Sequence, residues 1–182
     1  RYVMFDNDYT IFGKHAKFLK FLAKKNADSE TFSAKIFERY IDVYLNAAVF
    51  GLMYSNAVPR DEDHSNSAHI LAAAFLREHE HCVFLFRMIM LLDESTNLTD
   101  EEKINRAFRC DEHSEEFQNN LELFNSYVRG GIEIMYEKFT DGCRTQEDYL
   151  DRTYEVINSF QKELDGISDE DISQLINENS YF

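Results

Sequence analysis

The sequence is poor in the residues that make tight turns. It has 1 proline and 6 glycines among 182 residues. Sandwiches and barrels built from strands need frequent turns, so this scarcity argues against them and favours long helices. The glycine-rich phosphate-binding loops GxGxxG and GxxxxGK[ST] and the nucleophile motif GxSxG are all missing. The sequence therefore indicates no nucleotide-binding or hydrolase site, and we expect no cofactor and no catalytic residue.

Cysteines and long apolar runs are also scarce. The three cysteines, Cys82, Cys110 and Cys143, are odd in number and widely spaced, which supports neither a disulfide framework nor a zinc knuckle. Cys82 lies in an apolar run and is predicted to be a buried free thiol. The longest apolar run, 82–92, is interrupted by Arg87 and is about half as long as a membrane span. With no visible signal peptide, we expect a cytoplasmic protein without a membrane partner.

Apolar residues are plentiful enough for a folded core. They make up 44% of the chain and include 16 Phe and 10 Tyr. Their three-four spacing predicts an all-α fold, an antiparallel bundle of about seven or eight helices in a single domain over residues 1–182. Residues 1–12 are predicted to form a small β-hairpin or an N-terminal arm. The predicted helices cover 14–26, 31–54, a segment from 67 to 79 or on to 92, 99–109, 114–139, 146–164 and a short stretch after 168.

Several local signals refine these helices. The charged run 77–81 predicts a break or bend, after which 83–92 is expected to be a buried helix. The Thr99 capping box starts the next helix, whose residues Ile104, Ala107 and Phe108 are predicted to face inward. Two adjacent glycines, 130–131, fall inside a long helix and predict a bend or a close helix contact.

Charge is distributed unevenly along the chain. The formal net charge is −15, yet residues 1–27 hold six basic and two acidic side chains. The basic face of the first helix is interpreted either as an ordinary solvent-exposed helix face or as a binding surface for an acidic protein, for an acidic part of this chain or for a second copy. Nucleic acid is the least favoured partner, because the rest of the chain would repel phosphates. The basic residues are Lys14, Lys17, Lys20 and Lys24.

A histidine and acid cluster near the helix break could hold a metal. Glu78 and His81 are spaced i, i+3, which places both on one helix face. The favoured interpretation is a solvent-exposed polar cluster. Metal binding is the alternative, with His69, Glu78 and His81 as the ligands.

Polar residues interrupt three apolar segments and predict a buried network. A buried arginine needs a carboxylate, because an unpaired charge in a core costs several kcal/mol. We expect Arg87 or Arg129 to pair with Asp42 or Asp93, which would fix helix register. The alternative is a polar pocket for a small ligand. The full set is Arg39, Asp42, Asn46, Arg87, Asp93, Asn125 and Arg129.

These observations favour one function and leave two others open. The leading hypothesis is a noncatalytic interaction subunit or adaptor of a larger intracellular assembly, which binds another protein or itself through helix faces. The first alternative is a helical-bundle protein or enzyme that binds a metal or small ligand. The second is an acidic mimic of nucleic acid that inhibits a nucleic-acid-binding protein.

Overall fold

The computed structural model describes residues 4–23 and 36–165. The predicted all-α class with a short two-stranded β element is confirmed, with seven helices in the described residues. Residues 2–3, Lys24 and the helix predicted after residue 168 lie outside the described residues. In chain order the elements are β1 (Tyr9–Phe12), α1 (Gly13–Leu22), α2 (Tyr40–Met53), β2 (Ser67–Ile70), α3 (Ala72–Arg77), α4 (His79–Leu92), α5 (Asp100–Phe108), α6 (Glu115–Thr140) and α7 (Gln146–Asp165).

The partner of the N-terminal strand differs from the predicted hairpin. β1 pairs antiparallel with β2, with Tyr9 opposite Ile70 and Phe12 opposite Ser67. Phe5, within the predicted hairpin segment 1–12, lies in a turn with a φ of 63°. The helix predicted to begin at residue 67 is likewise wrong at its start, because Ala68 and Ile70 alternate with polar residues and are buried on one face of the sheet.

Helix boundaries follow local hydrogen bonding. α2 begins at Tyr40, later than predicted, because Arg39 is extended and its backbone N–H donates to the Asp42 carboxylate at 3.0 Å. The predicted break is confirmed, since α3 ends at Arg77 and α4 begins at His79. The Thr99 capping box is confirmed at the start of α5.

Glycines allow α2 and α6 to touch through their backbones. A Cβ at Gly131 would lie 1.7 Å from the carbonyl oxygen of Ala47, and one at Gly51 would lie 2.0 Å from that of Tyr127. This confirms the close helix contact predicted from the glycine pair. Cys82 is buried and free, as expected, and burial raises the pKa of its thiol to about 12.

An aromatic cluster fills the core beside this contact. The Phe5 ring lies 5.8 Å from that of Phe75 and 5.6 Å from that of Phe124, and Tyr44 packs edge-on against Phe75 at 5.2 Å. Apart from Phe5, which is half-buried, these rings are buried. The rings thus serve as core rather than as a surface for a flat cofactor.

The chain divides into two compact units, residues 1–137 and 138–182. The first holds both strands, α1 to α5 and most of α6. The second holds the end of α6 and α7. A single domain over residues 1–182 stays a prediction.

Candidate protein-docking groove

A buried ion pair sets the orientation of α5. Asp93, which directly follows α4, is completely buried, and its Oδ2 lies 3.1 Å from Nη2 of Arg106 on α5. Arg106 also donates from Nε to the carbonyl of Met90 at 2.8 Å. Tyr127 on α6 donates its hydroxyl to Asp93 at 2.6 Å. These bonds join the end of α4 to α5 and α6 and satisfy a charge that would otherwise be costly to bury.

The protonation states of this cluster follow from its contacts. Burial raises the pKa of the Asp93 carboxyl, but hydrogen bonds from Ser95, Tyr127, Thr96 and Arg106 outweigh burial and hold that pKa well below its usual range. Burial, together with the Asp93 carboxylate, raises the pKa of Tyr127 to about 12. Asp93 is therefore ionised and Tyr127 neutral near pH 7, which keeps the Asp93–Arg106 pair charged.

Arg106 takes the inward position that apolar residues were predicted to occupy. Ala107 is buried as expected, but Ile104 is 41% exposed and Phe108 is 54% exposed. The prediction that Ile104 and Phe108 face inward is therefore wrong. Because Arg106 must reach Asp93, α5 turns these two apolar side chains towards solvent.

Phe108, one of these outward residues of α5, forms an apolar groove together with α4. The groove has a volume of about 650 Å³. The segment 83–92 was predicted to be buried, yet Phe84 is 65% exposed and Leu92 is 57% exposed. Cys82, Phe86 and Ile89 fill the buried face of α4, so the remaining apolar residues lie on its other side. The groove is lined by His79, Glu80, Val83, Phe84, Arg87, Met88, Leu91, Leu92 and Phe108.

Few polar groups line this groove. The Arg87 guanidinium carbon lies 5.1 Å from the centroid of the Phe108 ring, a cation–π contact between α4 and α5. Glu80 lines the groove one turn before Phe84. Nε2 of His79 is buried and has no hydrogen-bond partner among the described residues. The groove is thus an apolar surface with one acidic and one basic side chain.

The structure separates the predicted polar network into several sites. Asp93, Asn125 and Arg129 are buried, whereas Arg39 and Arg87 are exposed. The predicted pairing of Arg87 or Arg129 with Asp42 or Asp93 is wrong. Arg106 pairs with the Asp93 carboxylate, and Arg129, Arg39 and Arg87 have other contacts.

Each of those members has a specific contact. Arg129 pairs with Glu122 at 2.7 Å and donates to the carbonyl of Val58 and to the hydroxyl of Tyr9. Asn125 accepts a hydrogen bond from the Tyr44 hydroxyl at 2.7 Å.

Arg39, Asp42 and Asn46 lie together at the N-terminal end of α2. Arg39 pairs with Asp42 at 2.6 Å and with Glu78 at 2.8 Å, and Asn46 donates to the Asp42 carbonyl. These contacts hold the first turn of α2 next to the break between α3 and α4. Three residues of the predicted network therefore make surface contacts instead of buried ones.

The candidate metal ligands have contacts within the chain. Nδ1 of His81 lies 3.1 Å from the Glu78 carboxylate, which also forms an ion pair with Arg39. Nδ1 of His69 on β2 shares a hydrogen bond of 2.9 Å with the Thr10 hydroxyl. No group of three or more His, Cys, Asp or Glu side chains in the described residues is placed to hold a metal ion. Metal binding by His69, Glu78 and His81 stays a prediction.

The basic face of α1 lies close to acidic groups of the same chain. Lys14 Nζ lies 2.7 Å from Glu133, although its side chain remains 56% exposed. Lys17 is exposed and Lys20 is half-buried. The Asp61 carboxylate accepts the backbone N–H of Lys14 at 2.8 Å. A partner for this face stays a prediction.

Sequence reasoning missed the groove and Arg106. In α5 the apolar residues Ile104, Ala107 and Phe108 fit an inward face, and only the carboxylate at Asp93 decides in favour of Arg106. In α4 apolar residues surround the helix, so the spacing does not distinguish the exposed side from the buried one.

Comparisons with protein-family models, curated proteins and solved structures found no significant match to this chain. Within the described residues, no helix combines the length and apolar character that crossing a membrane requires.

Proposed function

We propose that this chain is a noncatalytic interaction subunit that receives an α-helix of a partner chain in the groove between α4 and α5. The observation that carries the proposal is the cluster of large exposed apolar side chains around one cleft. Phe84, Leu92 and Phe108 each expose more than half of their surface there. Clustered apolar exposure of this kind, bordered by polar residues, is typical of protein-binding surfaces.

The shape and chemistry of the groove fit a helix. Apolar residues of α4 repeat at 84, 88, 91 and 92, and Phe108 of α5 forms the opposite wall. An amphipathic helix binds such a surface with apolar residues at i, i+3, i+4 and i+7. An aromatic ring and an arginine, here Phe84 and Arg87, are residue types enriched at protein interfaces.

The test compares two groove variants with a matched control. Phe84→Lys and Leu92→Lys place a charge in the groove, whereas Met53→Lys places one elsewhere. Leu92 and Met53 are the last residues of two 14-residue helices and are 57% and 54% exposed. Each substitution is at an exposed position, so each should change folding stability by only about 0.5 kcal/mol.

Tagged wild-type protein and the three variants would be purified from the native host, and captured proteins quantified by mass spectrometry. We expect a stoichiometric partner on wild-type protein and on Met53→Lys, with about 10-fold less on both groove variants. A partner captured equally by all four proteins would contradict the proposed role of the groove.

A small-ligand site is the second candidate function. The groove volume of about 650 Å³ lies in the range of ligand pockets. His79, Glu80 and Arg87 line the groove and would give an apolar ligand polar groups to bind. Native mass spectrometry of freshly purified protein tests this candidate, because a bound molecule of defined mass, absent from the Phe84→Lys variant, would support it over a protein partner.

A further inference from the structure

We infer that the partner chain in this groove is a second copy of the protein, and that the two α4 helices pack antiparallel across a two-fold axis near Phe84. The inference rests on the proposed function, because it takes the groove to be a protein-docking surface. It adds the identity of the partner, the direction of its helix and the contacts that select both.

Two opposite charges in the groove carry the inference. Glu80 lies four residues before Phe84 and Arg87 three residues after it, and both line the groove. Neither side chain forms an ion pair with any described residue, and the Arg87 guanidinium lies over the Phe108 ring. The groove therefore presents an acid and a base on either side of its most exposed aromatic ring.

A two-fold interface uses the same surface on both copies, so residue i of one copy contacts residue j of the other and the reverse. When the second α4 runs antiparallel and crosses at Phe84, each Arg87 meets the Glu80 of the other copy. The surface is thus complementary to itself in charge, with two ion pairs related by the axis. Glu80 and Arg87, which form no ion pair with the described residues of their own chain, gain one each in the dimer.

The same charges exclude the parallel arrangement. Side by side and in the same direction, the two helices would place Glu80 against Glu80 and Arg87 against Arg87. Like charges in contact across an interface cost several kcal/mol. The charge pattern therefore specifies helix direction as well as the partner, as polar residues do within helical interfaces.

The spacing of the outer face of α4 also suits a helix pair. Glu80, Phe84, Arg87 and Leu91 follow one another at intervals of four, three and four residues. This is the interval of the contact line in a pair of helices that pack along their length. Phe84 and Leu91 supply the apolar contacts, and the two charged residues alternate with them.

The experiment uses the full chain and reverses each charge separately. Glu80→Arg gives a groove with two bases, and Arg87→Glu gives one with two acids. Either variant alone places like charges together across the axis. An equimolar mixture restores both ion pairs, because each acid of one variant then faces a base of the other.

The molecular mass of the species in solution would be measured by analytical ultracentrifugation at micromolar concentrations and 0.15 M salt. This salt concentration screens the repulsion between two copies of net charge −15 at distances beyond about 8 Å. We expect a dimer for wild-type protein, at least 10-fold weaker self-association for each variant alone, and a heterodimer in the mixture. The mixture controls for folding, since a misfolded variant would not recover association on mixing.

The outcomes separate this inference from the proposed function. If wild-type protein is still a monomer at concentrations 100-fold above those micromolar values, the second-copy inference is overturned. A different protein whose capture depends on Phe84 would still support the proposed function. A dimer that Phe84→Lys disrupts but neither charge reversal weakens overturns the antiparallel arrangement. A dimer unaffected by Phe84→Lys and by both charge reversals overturns the inference and removes the groove from self-association.

Discussion

At the scale of single residues, the ion pair between Asp93 and Arg106 determines which side chains of α5 face solvent. Their ion pair is buried at the end of α4 and is completed by Tyr127 and by the Met90 carbonyl. A buried pair contributes little net stability compared with an apolar pair, but removal of one partner leaves an uncompensated charge. Arg106 thereby fixes the direction of α5 and places Phe108 in the groove.

Arg106→Met should lower the free energy of unfolding by about 3 to 5 kcal/mol, because Asp93 would remain buried without its guanidinium. Urea unfolding followed by circular dichroism measures this loss. Asp93→Asn added to Arg106→Met should recover part of it, since a neutral amide is less costly to bury than a carboxylate.

Arg109→Met provides the control on the same segment. Arg109 directly follows α5 and is exposed, and its side chain donates to Asn105 at 2.9 Å, so its loss should cost about 0.5 kcal/mol or less. If Arg106→Met cost no more than this control, the ion pair would not be what orients α5.

At the scale of elements, the sequence predicts whatever is decided locally. The Thr99 capping box, the break in 77–81 and the starts of α6 and α7 follow from side chains within a few residues. β2 was missed because its hydrogen-bond partner, β1, is about 60 residues away. The groove was missed for a similar reason, since the inward face of α5 depends on Asp93, which lies outside that helix.

Because α2 and α6 touch at Gly131, alanine should have the opposite effect on stability there from its effect at most helical glycines. In a free helix, Gly→Ala stabilises by about 1 kcal/mol. Here the added Cβ would lie 1.7 Å from the Ala47 carbonyl oxygen, a backbone atom of the facing helix. We expect Gly131→Ala to destabilise the protein by about 1 to 3 kcal/mol, through overpacking that forces the helices apart.

Thermal unfolding of Gly131→Ala and of Asn119→Ala checks this sign. Asn119 is an exposed residue of the same helix, where alanine has the better helix propensity and should be neutral or slightly stabilising. A Gly131→Ala protein as stable as the wild type would mean that α2 and α6 separate without cost.

At the scale of the whole molecule, acidic side chains greatly outnumber basic ones. Nevertheless, as the pH is lowered, we expect the free energy of unfolding to fall first because of one histidine. His15 is 1% exposed, and its Nε2 lies 2.8 Å from Glu133. Burial lowers the pKa of His15 below its usual value, and nearby Lys14 and Arg129 act in the same direction, although Glu133 opposes them. Nδ1 of this ring is buried without a hydrogen-bond partner among the described residues.

The sign of the pH dependence follows from that lowered pKa. In the unfolded chain His15 takes up a proton near pH 6.5, whereas in the folded protein it stays neutral to lower pH, so the unfolded state binds more protons. The free energy of unfolding should therefore fall as pH drops below about 6.5, by up to about 1.4 kcal/mol at pH 5.5. The carboxylates whose pKa values are lowered, such as Glu133 and Glu122, add their losses only below about pH 4.5.

Urea unfolding at pH 7.5 and 5.5 measures this loss, with His15→Gln as the test and His64→Gln as the control. Glutamine cannot take up a proton and retains an N–H for Glu133, so His15→Gln should unfold with nearly equal free energies at the two pH values. His64 is exposed, so His64→Gln should keep the wild-type difference. If His15→Gln lost as much stability as the wild type on acidification, another group would be responsible, and the buried His15–Glu133 contact would not set the acid limit of the fold.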